Sequence, residues 1–141
     1  DRDLDGAFDG DEAAIVYGNG TAGCAGTPTI AANGEARVGR AGFAVTSGGA
    51  PASAVGLFGL GFAPVSIPVA GIELLVDLFQ GPVIVELVAT DARGAAARLL
   101  PLPADPAFAG LGLFAQWAWA DGCAPEGIAA SPGLQVTLTP Q

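Results

Sequence analysis

The order of apolar and polar residues is typical of an all-β protein. From residue 24 onward, apolar runs of about five to ten residues alternate with breaks rich in Gly, Pro, Asn and Asp, as in short strands joined by turns. Eight such runs predict an antiparallel β-sandwich of the Ig-like or jelly-roll kind. One short helical turn is expected at 105–110, begun by Pro106 and stopped by Gly110. The predicted strands are 28–32, 36–47, 53–62, 71–79, 82–90, 93–101, 110–120 and 133–139.

The residue pattern in two of these runs predicts which faces of the strands are buried and which are exposed to water. In 73–78 the acids Glu73 and Asp77 alternate with leucine and valine, so this strand should turn one face to the core and one to water. Residues 55–62 contain three glycines and no polar alternation, so they are expected to be buried on both faces. Another layer of the sandwich, or another subunit, must then cover them.

The length and composition predict a single sandwich domain outside any membrane. A chain of 141 residues is long enough to bury a sizeable core. Hydrophobic residues make up 51% of it, but Gly or Pro interrupts every apolar stretch before the roughly 20 residues that a membrane helix requires. No signal-peptide pattern begins the chain, so we expect that an exported protein has lost its signal and any larger upstream region.

The first twelve residues match a calcium-binding loop. They hold six acids and one arginine, which is −5 of the net charge of −9. Their spacing offers oxygens at loop positions 1, 3, 5, 7, 9 and 12 and a glycine at position 6 for the sharp turn. A solvated acidic tail is the alternative, but it would not require Gly6 and Phe8 at those offsets. The predicted Ca²⁺ ligands are Asp1, Asp3, Asp5, the backbone carbonyl of Ala7, Asp9 and a bidentate Glu12.

This segment resembles EF-hand loops, and more closely the truncated dockerin-like and thrombospondin type 3-like versions found in secreted proteins. It departs from a paired EF-hand because the sequence starts at Asp1, without an entering helix, and because Gly18 ends the exiting segment after little more than one turn. The resemblance therefore implies a static calcium loop, not a sensor that opens a groove. We divide the chain into the loop and a short helix at 1–17, a linker at 18–23 and the sandwich at 24–141.

A second resemblance covers about residues 23–141. Its motifs are turn segments such as Pro28-Thr29-Ile30, Pro64 to Pro68 and Asp105-Pro106, together with the pair Gln116-Trp117. They resemble a β-sandwich domain that recurs at the C-terminus of secreted multidomain proteins of environmental bacteria. The resemblance implies a terminal accessory module, joined to upstream domains through the calcium loop, and no settled function.

The two cysteines, Cys24 and Cys123, are expected to form a disulfide. The chain contains no histidine, so a metal site built on two thiols would lack ligands. A disulfide that closes a loop of about 100 residues would stabilise the fold by up to roughly 4–5 kcal/mol in the loop-entropy model. Two buried free thiols, as in a cytosolic protein, are the alternative. The calcium loop favours the disulfide and a secreted, extracellular or cell-surface location.

The composition gives little support to catalysis or nucleic-acid binding. Without histidine or lysine, the usual general bases and His-dependent nucleophiles are missing, so we expect no enzyme and no catalytic residue. The five cations are isolated arginines, so we expect no DNA or RNA partner. A glycosidase pair of carboxylates stays open, although each candidate is explained as a solvent-facing strand or turn residue. These candidates are Glu73, Asp77, Glu86, Asp91, Asp105 and Glu126.

Trp117 and Trp119 raise the alternative of a carbohydrate-binding module. They are two apart on one predicted strand, and flat rings on one face of a sheet can stack on sugar rings. Leu111 and Leu113 share the same phase, which would instead place both indoles in the core. The tripeptide Asn19-Gly20-Thr21 is formally a glycosylation acceptor, a match that most often arises by chance.

These features together predict a non-catalytic, secreted, calcium-binding structural domain for attachment or assembly at the cell surface. The apolar excess and the two-sided strands are typical of a subunit that packs against copies of itself, for example in an extracellular filament or layer. The expected partners are identical copies or upstream domains of the same precursor, and a polysaccharide in the carbohydrate-binding alternative.

Overall fold

The computed structural model describes residues 14–140, and in this part of the chain it confirms the all-β prediction. Eleven strands and one 3₁₀ turn, Pro106–Phe108, are present there. The predicted helical turn is thus confirmed, and the Asp105 carboxylate accepts a hydrogen bond from the Ala107 N–H at 3.0 Å. The strands are β1 (Ala14–Tyr17), β2 (Ala31–Ala32), β3 (Ala44–Ser47), β4 (Val55–Gly61), β5 (Pro64–Val69), β6 (Ile72–Val76), β7 (Ile84–Ala89), β8 (Ala96–Leu99), β9 (Gly112–Ala120), β10 (Ile128–Ala130) and β11 (Gly133–Thr137).

The described strands form three layers. The main sheet has six strands in the order β1-β11-β9-β4-β7, with β10 paired to β9, and every pairing is antiparallel. The small sheet β2-β3-β8 packs on one face of it, and the two together enclose the hydrophobic core. The hairpin β5–β6 lies on the opposite face, where the Gln116 side chain of β9 bonds to the backbone of β6.

Alternation along β4 and β9 builds the core. The register pairs Phe58 with Trp117, and directly opposite residues point to the same face of a sheet. Their rings lie 4.8 Å apart, and Trp117 stacks on Trp119 at 5.4 Å between centroids. Phe43 and Val45 of the small-sheet side close this cluster. Every second residue of β4 and β9 therefore points away from the core, to the face of the main sheet that carries the hairpin.

The predicted short helix at 13–17 is wrong, because Ala14–Tyr17 is strand β1, paired with β11. Ile15, Val16 and Tyr17 are good strand formers, and the edge of β11 offers them a hydrogen-bonding partner. Within the described residues, the main sheet therefore already includes Ala14–Tyr17, which lie ahead of the predicted sandwich at 24–141. The predicted linker at 18–23 is also bonded to the sandwich, because Thr21 forms an antiparallel bridge with Ala130.

Other element boundaries differ for local reasons. The prediction missed β5 because it contains Pro64 and Pro68, but β5 is an edge strand, where proline is tolerated. It also missed the three-residue β10. The predicted strand 36–47 shortens to Ala44–Ser47, since Gly39 adopts a positive φ of 89° and turns the chain.

Candidate functional site

The outer face of the main sheet is only half covered. The hairpin lies over β9, while β4 and β7 leave a row of apolar side chains in solvent. Val55, Leu57, Val85 and Leu87 are 52%, 47%, 50% and 75% exposed. Leu57 is paired directly with Leu87, so the four side chains lie on one face. We call these four residues the open face.

An apolar groove of about 490 Å³ runs between the open face and the hairpin. Its hairpin wall is made by Val69, Ile72, Leu74 and Val76, which share one strand phase on the two antiparallel strands. None of the described residues that line the groove is charged. A surface of this kind favours an apolar protein contact over a charged ligand.

Gln116 holds the hairpin against the sheet. It is 5% exposed, and its side-chain oxygen accepts a hydrogen bond from the Leu75 N–H at 3.0 Å. Its amide nitrogen donates to the carbonyls of Glu73 and Ser131, each at 2.9 Å. The Leu75 N–H and the Glu73 carbonyl belong to the backbone of β6, so the hairpin contacts the main sheet through the edge of β6. The amide is fully used in this way and is not available to a ligand.

Tyr17 supports the hairpin from the side away from the groove. Its hydroxyl donates to the Leu75 carbonyl at 2.5 Å, and its ring meets Phe114 edge-on at 6.1 Å. Burial raises the pKa of Tyr17 to about 12, so the phenol stays a donor at neutral pH. Gln116 and Tyr17 thus both bond to the β6 edge of the hairpin and hold this wall of the groove against the main sheet.

Two loop residues outside the groove lining carry charge. Glu126 lies beside Gly71 in the β5–β6 turn. Arg93 lies in the turn that leads from β7 to β8 of the small sheet, where its side chain is 88% exposed and 3.8 Å from the Asp91 carboxylate. That turn is tied to the start of β4 by a bond from the Ser53 N–H to the Asp91 carbonyl at 2.9 Å.

The tryptophans do not form a ligand platform. Trp117 and Trp119 are both 0% exposed, which corrects the expectation that they stack on a sugar. Their phase on β9 is that of Leu113, and that phase faces the small sheet. The Trp119 indole N–H donates to the Ser47 hydroxyl inside the core at 3.2 Å. A carbohydrate-binding role would need a different surface.

Cys24 and Cys123 form a disulfide, as predicted, with 5.0 Å between their Cα atoms. The buried Asp121 carboxylate lies next to it and accepts hydrogen bonds from the N–H groups of Cys24 at 3.1 Å and Cys123 at 3.0 Å. Cys24, Asp121 and Cys123 are close enough to suggest a metal site, but both sulfurs are used in the disulfide. The cluster therefore fastens residue 24 to the loop after β9.

The predicted calcium ligands lie outside the described residues. They are Asp1, Asp3, Asp5, Ala7, Asp9 and Glu12. The first described residue, Ala14, is already paired with Val136, so only Ala13 separates the predicted loop from the main sheet.

Most of the carboxylates considered for catalysis have structural partners. Glu86 receives a hydrogen bond from the Arg98 guanidinium at 3.0 Å, which lowers the pKa of Glu86. Asp91 accepts hydrogen bonds from the N–H groups of Ala95 and Arg93 within its turn, and these lower the pKa of Asp91. Glu73 bonds to the Ser66 hydroxyl. These bonds are those of strand and turn residues.

Comparison with protein-family models, curated proteins and solved structures finds no match to this chain. The two resemblances described above therefore stay predictions. Among the described residues, no helix is long and apolar enough to cross a membrane.

The groove includes residues that the sequence reasoning did not single out. Gln116 is a lone amide between apolar strand neighbours, a pattern that indicates a buried polar anchor. Val85 and Leu87 lie in the run 82–90, whose odd positions are all apolar and whose even positions include Glu86. Alternation alone would place Val85 and Leu87 in the core, whereas they face outward and Glu86 bonds to Arg98 of the small sheet.

Proposed function

We propose that this chain is a non-catalytic, secreted structural module that serves attachment or assembly outside the cell through its open face. The observation that carries the proposal is the exposure of Val55, Leu57, Val85 and Leu87 beside an uncharged groove. Scattered apolar residues are normal on a protein surface, but a contiguous apolar patch marks a contact site. The disulfide supports an oxidising location, since such bonds persist mainly outside the cytosol.

The fold gives the open face the geometry of a contact surface. Its side chains project from paired strands, and β4 is hydrogen-bonded on both sides, to β7 and β9. A rigid apolar surface loses little conformational entropy on binding. In a chain of net charge −9, an uncharged face is also where two copies can approach with the least repulsion.

A single substitution on the open face tests this proposal. Leu87→Asp places a charge where a partner would exclude water, so self-association should weaken by at least tenfold, or about 1.4 kcal/mol. Leu87 lies on an edge strand and is 75% exposed, so the monomer should fold normally. Sedimentation velocity over a wide concentration range measures the association, and circular dichroism checks the fold.

Leu99→Asp is the matched control. Leu99 is 52% exposed on β8 of the small sheet, so the same substitution there should leave association unchanged. A wild-type protein that stays monomeric at every concentration, with and without saturating calcium, would contradict assembly as the function.

Calcium has a mechanical role in this proposal. Binding would neutralise the carboxylates of the first twelve residues and stiffen the entry to the domain. The short connection supports this role, because only Ala13 lies between Glu12 and the first residue of β1. A stiffened loop would then set the direction of any upstream segment relative to the main sheet.

Titration calorimetry tests the calcium site. We expect a dissociation constant on the order of 10⁻⁴–10⁻³ M, as in extracellular modules. Glu12→Gln should abolish most of the binding because it removes the bidentate ligand. Asp11→Asn removes the same charge but no predicted ligand, so it should bind nearly as the wild type does. Equal isotherms for the wild type and Glu12→Gln would show that the ligand assignment is wrong.

A further inference from the structure

We propose that Asp121 controls thiol exchange at the Cys24–Cys123 disulfide, because it positions the two cysteines and makes the bond between them resist anionic thiols. The inference goes beyond the proposed assembly function and depends on neither the open face nor calcium. Three features of the described residues support it: the exposure of the two cysteines, the hydrogen bonds that Asp121 accepts, and the distance of its negative charge from both sulfur atoms.

The disulfide joins two exposed turns. Cys24 lies in a tight turn in which Gly23 and Gly26 exchange backbone hydrogen bonds at 2.9 and 3.2 Å. Cys123 lies in the loop between β9 and β10. Both cysteines are exposed, whereas Asp121 is only 4% exposed. An exposed disulfide is open to attack by small thiols, so the groups around its sulfur atoms influence how fast it exchanges.

Asp121 connects the two segments that carry the cysteines. Each of its carboxylate oxygens accepts a hydrogen bond from the Cys24 N–H at 3.1 Å, and one of them also accepts the Cys123 N–H at 3.0 Å. A Cβ at Gly23 would clash with this carboxylate, so the glycine lets the side chain approach the turn. None of these bonds uses a sulfur atom, so they remain available in the reduced protein. Asp121 therefore holds both cysteines in place for oxidation.

The charge of Asp121 lies close to both sulfur atoms. A carboxylate oxygen of Asp121 and the two sulfurs all lie within 4.8 Å of one another. Backbone N–H groups donate to both carboxylate oxygens, as expected for the ionised side chain. The arginines of the described part of the chain bond elsewhere: Arg37 to Glu35, Arg40 to the Glu35 carbonyl, Arg93 to Asp91 and Arg98 to Glu86.

Thiol exchange brings negative charge to both of these sulfur atoms. The thiolate of a small reagent attacks one sulfur, the S–S bond breaks, and its electron pair leaves on the other sulfur as a thiolate. A second reagent thiolate then displaces the first, which releases the oxidised reagent and leaves the protein as a dithiol. A carboxylate this close repels the incoming thiolate and disfavours the departing one. Reduction is therefore slowed, and most strongly for a reagent that carries additional negative charge.

Two small thiols of opposite charge test the proposal. Asp121→Asn removes the charge but keeps a side-chain oxygen that can accept the Cys24 and Cys123 N–H groups. At low ionic strength, anionic 2-mercaptoethanesulfonate should reduce this variant about tenfold faster than the wild type. Cationic cysteamine should gain about threefold less, because its ammonium group is attracted by the native carboxylate. Intact mass after alkylation of the freed thiols measures both rates.

Glu126→Gln is the matched control. It removes the same charge from the same loop, but Glu126 lies against Gly71 of the β5–β6 turn, so both rates should change by less than about twofold. Hydrogen exchange at the Cys24 and Cys123 amides should keep its protection in Asp121→Asn, which separates the effect of charge from opening of the loop. Equal reduction rates in Asp121→Asn and the wild type, or equal gains for the two reagents, would overturn the proposal. Faster reduction that is matched by lost amide protection would overturn it as well.

Discussion

At the scale of single residues, Gly56 allows β4 to pack closely against the buried side chain of Trp119. It faces the core from β4, opposite Trp119. A Cβ at this position would lie 2.1 Å from the Ala118 carbonyl oxygen and 2.5 Å from the Trp119 ring. The absence of a side chain therefore lets β4 lie against the buried indole. The glycines of 55–62 lower strand propensity, but this one creates the space that the tryptophan fills.

Gly56→Ala should lower the free energy of unfolding by about 1–3 kcal/mol, because the added methyl group overpacks a fixed core. Gly122→Ala is the control, since a Cβ there meets no atom within 4 Å and Gly122 has no positive φ. That variant should stay within about 0.5 kcal/mol of the wild type. Urea unfolding measures both. Equal losses in the two variants would mean that the packing around Gly56 can relax.

The sequence contained evidence for both placements of the tryptophans, on an exposed ligand-binding face and in the core. Their spacing placed them on one face of the strand, which the structure confirms, but spacing alone does not indicate which face is exposed to solvent. Leu113, in the same phase, was the evidence for burial. A small sheet whose residues are distant in sequence, such as Phe43, covers that face, and no local pattern specifies such a layer.

At the scale of elements, the β5–β6 hairpin depends on a few specific bonds. A two-stranded hairpin is marginal alone, and this one is joined to the sheet by the Gln116 amide and the Tyr17 hydroxyl. Because the hairpin forms one wall of the groove, its attachment determines the shape of the proposed contact surface. In the proposed function, Gln116 therefore links the stability of the hairpin to the contact surface.

Gln116→Leu should lower the free energy of unfolding by about 2–4 kcal/mol, since it leaves the Leu75 N–H and the Glu73 and Ser131 carbonyls without their partner. Hydrogen exchange should show the largest loss of protection at Leu75. Gln116→Glu keeps the acceptor but loses both donated bonds, so the Leu75 amide should stay better protected than in Gln116→Leu. Unchanged protection of β6 in Gln116→Leu would show that packing alone holds the hairpin.

Sequence patterns predicted the β-class, the helical turn and most strands of the body, because strand alternation and turn residues act locally. They missed β1 and β5, whose formation depends on partners. Ile15 pairs with Gln135 across the chain, and β5 tolerates its prolines only because it lies at an edge. The run 55–62 predicted only that some other layer must cover this strand. It did not indicate that the hairpin lies over β9 and leaves the outer face of β4 exposed.

At the scale of the whole molecule, charge and apolar surface are separated. Six of the fourteen acids lie in the first twelve residues, while the groove has no charged residue among its described lining. The Cys24–Cys123 disulfide joins points 99 residues apart and so restrains the unfolded chain over most of its length. This organisation suits a stable module that holds one apolar face toward a partner.

The central claim is that this open face becomes covered when copies meet. Methyl NMR with a soluble paramagnetic probe tests it directly, because the probe broadens only methyl groups that it can approach. As the protein concentration rises, the account predicts that Val55, Leu57, Val85 and Leu87 lose most of this broadening, while Leu99 keeps it. Equal broadening of all five residues at every concentration would contradict the account.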